Sequence, residues 1–371
     1  MIPLGALELF VIDLPLVHPF RTSFGEERVR RVLLVKLSGE GALGWGECVA
    51  SSGPWYSYET VDTAFLVIRD FIVPLLRRGE LRHPRDFPAL VSPIRGHPMA
   101  KAAVEAALWD LHCRLNGVPL WREIGGVREE VTAGVSIGIQ DSVPALLERI
   151  RHFVARGYPR VKLKVKPGWD VAVLEAVRGE FPELALQVDA NCAYRPGDPA
   201  LREFDRFRLL LVEQPFHYED LLGHARLARE ISTPVCLDES ITSPHRAREA
   251  LELGACSVIN IKQGRVGGLT AAVEIHDLAR DRGVPVWCGG MLETGVGRAL
   301  NVALATLPNF SLPNDISATD RYFREDIAHP PFALTPRGTI PVPPGPGIGV
   351  EVDEARLRRE SRATARFEIG R

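Results

Sequence analysis

One pattern repeats between about residues 131 and 317: a short apolar segment followed by a helical stretch. Eight segments read as strands: VTAGVSIGI, RVKLKVK, LALQVDAN, LLLVEQP, PVCLDES, SVINIK, PVWCGG and SLPNDIS. Amphipathic stretches such as SVPALLERIRHFVARG separate them. Strand–helix units of this size are typical of a parallel TIM-like barrel. Because the last helix is the least clear, we predict an α/β fold with a (β/α)7-8 barrel over 126–321.

The two flanking segments show a different order of elements. Apolar runs near 6–13 and 31–37 predict strands, and the stretches 59–78 and 98–116 predict helices. Strands followed by helices are typical of a compact α+β module, which we place at 1–125. The proline-rich tail, 322–371, is too short for a further domain. We expect it to pack back on the N-terminal module and complete a capping domain.

Composition excludes several classes of protein. With 45 basic and 47 acidic residues the net charge is -2, so a broad nucleic-acid surface is not expected. No apolar run has the length of a membrane span, and the N-terminus lacks the features of a signal peptide, so we expect a cytoplasmic protein with no membrane partner. The six cysteines form no CxxC pair and no zinc-like cluster. No GxGxxG follows a strand, which argues against a dinucleotide site.

The segment RVKLKVK, 160–166, alternates strictly between basic and apolar residues. Such a strand, taken alone, usually has one solvated face. In a parallel barrel, helices cover the outer face, so the apolar residues Val161, Leu163 and Val165 belong outside. Lys162 and Lys164 are therefore predicted to point into the barrel.

Polar residues recur at the strand ends with an almost constant spacing. Lys164, Asp189, Glu213, Asp238 and Lys262 follow one another at intervals of 25, 24, 25 and 24 residues. Equivalent positions of a repeated unit lie at one level of a barrel, at the C-terminal mouth where barrel enzymes bind substrate. Three converging carboxylates repel unless a cation lies among them, and this oxygen set suits Mg²⁺, with Mn²⁺ or another divalent cation as a substitute. The alternative is that each carboxylate caps the helix after its strand.

The two lysines flank the acidic trio on the second and sixth strands. A lysine close to a divalent cation and to another ammonium is disfavoured in its charged form, so a lowered pKa is expected. Such a lysine can act as a base. A metal can hold a carboxylate and stabilise the dianion that forms when the α-proton leaves. The pattern therefore favours abstraction of a proton α to a carboxylate.

Together the motifs resemble one family along nearly the whole chain. The muconate-lactonizing subgroup of the enolase superfamily is similar in GWGE (44–47), KLK (162–164), DAN (189–191), EQP (213–215), DES (238–240) and NIKQGRVGGL (260–269). The branch that contains o-succinylbenzoate synthases and N-succinylamino acid racemases is similar in KVKPGWD (164–170), GGMLETGVGR (289–298) and PNDISATDRYF (313–323).

This resemblance implies a role for each matching residue. The three carboxylates would bind Mg²⁺. Lys164 would be the base on one face of the substrate, while Lys262 would serve the other face, as second base in racemisation or as a cation that stabilises the enolate in dehydration. Lys162 would lie beside the substrate carboxylate and tune Lys164. Asn191 and Glu239 would orient the metal ligands and Lys262, the lysine of the sixth barrel strand.

The resemblance also implies a substrate pocket under loops of the N-terminal module. Its residues would come from HPFRTSFGE and SSGPWYSY, namely Phe20, Ser23, Phe24, Trp55 and Tyr56. Packing explains the aromatic residues of this set equally well. After the seventh strand, GGMLETG contributes Gly290, Met291, Glu293 and Thr294, whose free N–H groups can hold a carboxylate tail.

The implied substrate is a small carboxylate. It would be an N-succinylamino acid or other N-acylamino acid, which is racemised, or a cyclohexadiene carboxylate, which is dehydrated to o-succinylbenzoate as in menaquinone biosynthesis. A dipeptide epimerase, for which Asp315 near strand eight would bind the amine, and a muconate-type cycloisomerase are the alternatives within the fold. A Schiff-base aldolase and a non-catalytic barrel that binds ligands are the alternatives from other classes. The resemblance also implies a homo-oligomer, from dimer to octamer.

Overall fold

The computed structural model describes residues 1–370. Its strands are β1 (Ala6–Arg21), β2 (Glu26–Gly39), β3 (Ala42–Cys48), β4 (Glu130–Thr132), β5 (Val135–Ile137), β6 (Arg160–Lys164), β7 (Ala185–Asp189), β8 (Val212–Glu213), β9 (Val235–Leu237), β10 (Val258–Ile261), β11 (Val286–Cys288), β12 (Ala328–His329), β13 (Thr339–Pro341), β14 (Glu351–Val352) and β15 (Ala363–Glu368). A parallel seven-stranded sheet runs from β5 to β11 in chain order, and an antiparallel sheet has the order β15-β1-β2-β3. The predicted class, a TIM-like barrel with an N-terminal capping domain, is confirmed.

The helices, like the strands, belong either to the capping domain or to the barrel. They are α1 (Val61–Val67), α2 (Val73–Arg78), α3 (Phe87–Leu90), α4 (Pro98–Leu115), α5 (Leu120–Glu123), α6 (Val143–Ala155), α7 (Val171–Glu180), α8 (Ala200–Glu203), α9 (Leu221–Glu230), α10 (Pro244–Glu252), α11 (Gln263–Val266), α12 (Leu269–Asp281), α13 (Gly295–Ala305) and α14 (Glu354–Glu360). Helix α6 shows how the sequence starts them: the Ser142 hydroxyl accepts the Ala145 N–H, and Pro144 occupies the first turn. No helix within residues 1–370 has the length and apolar character needed to cross a bilayer.

The eighth predicted strand, SLPNDIS, does not form a regular strand. Asn314 N donates to Thr132 O of β4 at 3.1 Å and Asp315 N donates to Cys288 O of β11 at 2.8 Å, so the segment connects one edge of the parallel sheet to the strand that precedes β5. Pro313 has no N–H to donate, and the Asn314 side chain accepts the Cys288 N–H at 2.8 Å where a backbone carbonyl would otherwise do so. A side-chain hydrogen bond thus takes the place of a backbone hydrogen bond that an eighth strand would form.

The inner and outer faces of β6 follow the predicted alternation. Val161, Leu163 and Val165 are fully buried in the apolar core beneath the surrounding helices. Lys162 and Lys164 are also buried, at 2% and 7% exposure, on the other face of the strand. Lys166, beyond the end of β6, is exposed. The basic face of this strand is therefore an interior surface.

Strand β3 joins the capping domain to the barrel. A Cβ atom on Gly44 or Gly46 would collide with the backbone of α4, so only glycine allows the strand to lie this close to the helix. On the opposite face, the Glu47 carboxylate accepts the N–H groups of Thr294 at 3.1 Å and Gly297 at 2.9 Å. Glu47 therefore caps the first turn of α13, a barrel helix, from the other domain.

The C-terminal tail returns to the capping domain through its last strand. Strand β15 pairs antiparallel with β1, from Ala6 opposite Glu368 to Val11 opposite Ala363. Earlier in the tail, β13 pairs with β4 beside the barrel instead. The tail therefore serves both parts of the molecule, and the domain limits at 125 and 321 stay predictions.

Candidate active site

The five residues of the 24–25 spacing meet at one end of the parallel sheet. Lys164, Asp189 and Glu213 are the last residues of β6, β7 and β8, while Asp238 and Lys262 follow β9 and β10 directly. All five are buried, with at most 7% exposure. Because parallel strands end at the same edge, their terminal side chains share one small volume.

The three carboxylates form a compact set of oxygen donors. Asp189, Glu213 and Asp238 each place one carboxylate oxygen within 4.8 Å of the others. Burial, followed by the neighbouring charge of Asp189, raises the pKa of Glu213 well above its usual value. Hard oxygen donors whose charges repel in a buried site fit a divalent cation, so these residues could hold one.

The two predicted bases lie on either side of this set. Lys164 Nζ donates to Asp189 at 2.6 Å and Lys262 Nζ donates to Asp238 at 2.7 Å. Strands β6 and β10 are separated by the three strands that carry the carboxylates, so the lysines approach the centre from opposite sides.

The pKa of Lys262 differs in direction from the sequence expectation. Burial alone would lower it, but the Asp238 carboxylate holds the Lys262 pKa above its usual value. A lowered pKa was expected for a lysine beside a divalent cation, whose charge would offset that of the carboxylates. The direction of the shift therefore depends on which charge is nearest to the ammonium.

Lys162 lies at the centre of the acidic groups. Its Nζ is 3.1 Å from Asp189, 3.0 Å from Glu213 and 2.5 Å from Asp315. Arg160, which precedes it on the same face of β6, donates to Asp315 at 2.6 Å. Burial would raise the pKa of Asp315, but Lys162 and Arg160 together hold it well below its usual range. The Asp315 carboxylate is thus ionised and already neutralised by two cations.

Asn191 connects the lysine on β6 to Glu239. Its Oδ1 accepts from Lys164 Nζ at 2.7 Å, and its Nδ2 donates to Glu239 at 3.0 Å. The Asn191 backbone has a φ of +42°, and its N–H donates to Asp189 at 3.0 Å. Burial, followed by the charge of Asp238, raises the pKa of Glu239 to about 7. Asn191 is therefore placed to orient Asp189 and Lys164, with Glu239 behind it. Within residues 1–370 neither residue forms a hydrogen bond with Lys262, the lysine that they were expected to orient.

A cavity of about 160 Å³ opens above these groups, between the two domains. The capping domain lines it with Phe20, Phe24, Trp55 and Tyr56, of which Phe24 and Trp55 are largely exposed at the rim. The barrel contributes the three site lysines with Asn191, Gly290, Met291 and Asp315. The cavity therefore gives a small molecule access to both Lys164 and Lys262.

Three residues predicted for the pocket lie outside the cavity lining that residues 1–370 form. Ser23 donates to Asn191 O at 3.3 Å. Glu293 accepts from Met291 N at 2.8 Å and from Asn301 at 2.9 Å, and so shapes the loop from behind. Thr294 is the N-cap of α13 and contacts Glu47. These side chains support the loops that face the cavity.

Three close neighbours of the carboxylates were not singled out from the sequence. Asn260 donates to Glu213 at 2.6 Å, Arg265 forms an ion pair with Asp238, and Arg160 pairs with Asp315. Tyr56, which was predicted for the pocket, also donates its hydroxyl to Asp238 at 2.8 Å. Strand alternation identifies Arg160 and Asn260, since each precedes a site lysine by two residues. Arg265 lies on the helix after β10, where no comparable pattern exists.

The sequence matches two family models that together cover most of the chain. Residues 6–125 match the mandelate racemase / muconate lactonizing enzyme N-terminal domain, and residues 145–356 match the enolase C-terminal domain-like family. The chain is 50% identical to an o-succinylbenzoate synthase of Geobacillus kaustophilus, covering 94% of this chain and 93% of that protein. It is also 50% identical to an N-succinylamino acid racemase of an Amycolatopsis species, covering 94% of both.

A solved structure gives the same relationship. A member of the enolase superfamily from Listeria innocua superposes with a TM-score of 0.95 over all of both chains, at 41% identity. The family models and this structural neighbour agree with the arrangement of a capping domain over a barrel. The chain belongs to the enolase superfamily, with a mandelate racemase / muconate lactonizing enzyme N-terminal domain and an enolase C-terminal domain-like barrel.

Proposed function

We propose that this protein is a Mg²⁺-dependent enzyme that removes the proton α to a substrate carboxylate. Its substrates are N-succinylamino acids, which it racemises, and the cyclohexadiene carboxylate that is dehydrated to o-succinylbenzoate in menaquinone biosynthesis. Relatives with each of these two names are equally similar to the chain, at 50% identity. Both substrates share a succinyl arm and an acidic hydrogen next to a carboxylate, so one pocket can accept both.

The observation that carries this proposal is the placement of two buried lysines on opposite sides of three carboxylates. Lys164 and Lys262 both line the cavity. A substrate carbon held between them presents one face to each ammonium or amine group. Racemisation needs this arrangement, because the proton leaves from one face and another arrives on the opposite face.

The metal ligands in this proposal are Asp189, Glu213 and Asp238. When bound there, Mg²⁺ would hold the substrate carboxylate and offset the negative charge that develops on it. Lys162 adds a fixed positive charge beside the same carboxylate. Asn191 holds Lys164 in the orientation from which its Nζ reaches the cavity.

The two reactions use the lysines differently. In racemisation, neutral Lys164 takes the α-proton from one enantiomer while protonated Lys262 returns a proton to the other face, and the roles exchange for the other enantiomer. In dehydration, Lys164 takes the α-proton and then gives it to the departing hydroxyl group, which leaves as water. Lys262 then stays protonated and stabilises the developing charge.

The structure disfavours a dipeptide epimerase. Such an enzyme would use Asp315 for the ammonium group of its substrate, but this carboxylate already pairs with Lys162 and Arg160. A muconate-type cycloisomerase is the second alternative, and it predicts no exchange of an amino-acid α-hydrogen. A Schiff-base aldolase would need one lysine and no carboxylate trio, and a binding protein would need neither.

Exchange of the α-hydrogen in D₂O tests the proposal. Wild-type protein with Mg²⁺ is incubated with the D and the L form of an N-succinylamino acid, and deuterium is counted by NMR. We expect exchange from both enantiomers. Lys164→Ala should abolish exchange from one and Lys262→Ala from the other. Lys166→Ala is the matched control, since this exposed lysine lies two residues beyond Lys164 on the same segment.

Separate outcomes would overturn separate parts of the proposal. Exchange from neither enantiomer, with dehydration intact, would exclude racemisation. Activity that persists in EDTA and is lost on treatment with borohydride and substrate would exclude the metal mechanism in favour of a Schiff base. A homo-oligomeric state and a cytoplasmic location are further predictions, which sedimentation and fractionation address.

A further inference from the structure

A cluster of two histidines and one glutamate lies on the capping domain, apart from the barrel mouth. His83 precedes the 3₁₀ turn Pro84–Asp86, His112 is in the last turn of α4, and Glu123 ends α5. All three side chains are partly exposed, at 32%, 17% and 33%. Three separate elements therefore direct metal-ligating side chains to one accessible point.

The distances between these groups are those of a preformed ligand set. Nε2 of His83 is 3.7 Å and Nε2 of His112 is 3.8 Å from the same Glu123 oxygen. The two imidazole rings lie with their centroids 4.6 Å apart, and one ligand atom from each residue falls within 4.8 Å of the others. Ligands of a tetrahedral zinc ion at about 2.0–2.1 Å are roughly 3.3 Å apart, so small side-chain rotations close the site.

The imidazole rings are held in position by their surroundings. The edge of His83 meets the ring of Trp109, a fully buried residue of α4, at a centroid distance of 5.0 Å. His112 is one helical turn further along α4, so it shares the same rigid support. Packing rather than the ligand set fixes the rings, which lowers the entropic cost of binding an ion.

The cluster has no other charge partner within the described part of the chain. Across residues 1–370, no lysine or arginine lies within ion-pair distance of Glu123, although the chain is rich in arginine. A carboxylate that faces two imidazoles is thus available to a cation.

We propose that His83, His112 and Glu123 form a second metal site, which binds a Zn²⁺-class ion through two imidazole nitrogens and one carboxylate oxygen. A water molecule or a fourth group completes the tetrahedral set. Imidazole ligands favour Zn²⁺ and the late first-row metals over Mg²⁺, which prefers oxygen. The site is therefore chemically distinct from the carboxylate trio of the barrel.

Coordination of His83 requires one change in its hydrogen bonds. Its Nδ1 accepts the Arg85 N–H at 3.2 Å. With a metal on Nε2, Nδ1 carries the proton and this hydrogen bond is lost. The Arg85 N–H belongs to an exposed turn, so water can replace His83 as its partner at small cost.

The expected consequence is a clip within the capping domain, next to its contact with the barrel. A bound ion would connect three elements: the turn at 84–86, helix α4 and helix α5. Of these, α5 contacts the barrel helix α13. A ligand that binds only the folded state stabilises it by mass action. The ion is therefore expected to act on stability and not on the proton transfers at Lys164 and Lys262.

The test counts Zn²⁺ on the full-length protein saturated with Mg²⁺. Protein is equilibrated with one equivalent of Zn²⁺, desalted and analysed for bound metal, and Co²⁺ serves as a spectroscopic probe through the strong visible absorption of its tetrahedral complexes. We expect one ion per chain and a Tm that rises with Zn²⁺ concentration. Glu123→Gln and His112→Gln should weaken binding by more than the about 10- to 100-fold that loss of an outer-shell partner costs.

A histidine elsewhere on the surface provides the matched control. His245 is 3.3 Å from Glu249 but has only this one partner, so His245→Gln should retain the ion. The proposal is wrong if wild type binds no Zn²⁺, or if Glu123→Gln and His245→Gln bind equally. It is also wrong if the ion is lost only in Glu213→Gln, which would place it at the barrel carboxylates. Because α-hydrogen exchange is measured separately, these results leave the proposed function untouched.

Discussion

The buried cations of the site each have at least one carboxylate partner nearby. Arg160 and Lys162 on β6 both reach Asp315, and Lys164 reaches Asp189. Burying a charge costs several kcal/mol unless it is paired and hydrogen-bonded, so each of these contacts is needed by the others. The inward lysines follow from strand alternation, but their partners come from distant positions that alternation does not specify.

Asp315→Asn should strongly destabilise the protein. The change removes the charge that two buried cations share, and breaking a buried ion pair costs about 3–5 kcal/mol. Asp320→Asn is the control, because Asp320 is 63% exposed in its pair with Arg156 and such pairs are worth at most about 1 kcal/mol. Urea unfolding of both variants measures the difference. Equal losses of unfolding free energy would show that the Asp315 pairs contribute no more than a surface contact.

Carboxylates of the capping domain cap two helices of the barrel. Glu47 serves α13, and Glu105 of α4 accepts the Thr270 N–H at 3.3 Å in the first turn of α12. Gly268 precedes α12 with a φ of +132°, and a side chain there would collide with Glu105. The helix has no cap of its own, so its start depends on a residue from the other domain. Local sequence patterns cannot predict such a cap.

Glu105→Gln should change how stability depends on pH. Burial raises the pKa of Glu105 to about 7, although the Thr270 N–H opposes the shift. Because the folded pKa lies above the ordinary value of 4.5, the favourable contribution is complete below pH 4.5 and is lost as the pH rises through about 7. Glutamine does not titrate, so the stability of the variant relative to wild type should improve between pH 5 and 8.

The size of this effect follows from linkage. Each pKa unit is worth about 1.4 kcal/mol, which sets an upper bound of about 3 kcal/mol on the relative gain. Chemical unfolding at four or five pH values, with Mg²⁺ present, gives the difference between the two proteins. A constant difference over this range would mean that Glu105 titrates near its ordinary pKa in the folded state.

The regular elements were largely predictable, and the exceptions have identifiable causes. The spacing of 24–25 residues located the ends of β6 to β10 and with them the carboxylate trio. The segment SLPNDIS looked like an eighth strand, but Pro313 lacks the N–H that a ladder needs, and the Asn314 side chain accepts the Cys288 N–H in place of a backbone carbonyl. The pattern of apolar residues predicts that a segment is buried, as this one is. It does not predict which groups donate and accept its hydrogen bonds.

At the scale of the whole molecule, the cavity above the carboxylates exists only because two domains meet. The carboxylates and lysines belong to the barrel and follow from its repeat. The aromatic lining comes from loops of the capping domain, and the sequence left open whether these residues line a pocket or pack. Motif position alone does not predict which side chains line the pocket. It placed three residues near the pocket whose side chains point away from it in the folded chain: Ser23, Glu293 and Thr294.

The last strand closes the capping sheet, so its removal should weaken that domain first. Deletion of residues 361–371 removes β15 and exposes the backbone of β1 from Ala6 to Val11 as an unpaired edge. Exposed edges of this kind pair with other chains. We expect a lower Tm and concentration-dependent association, measured by calorimetry and light scattering. Arg366→Ala is the control, because this side chain is 56% exposed and its loss leaves the strand in place. If the truncated chain melts like wild type and stays dispersed, β15 contributes little, and β2 and α14 are sufficient to hold β1.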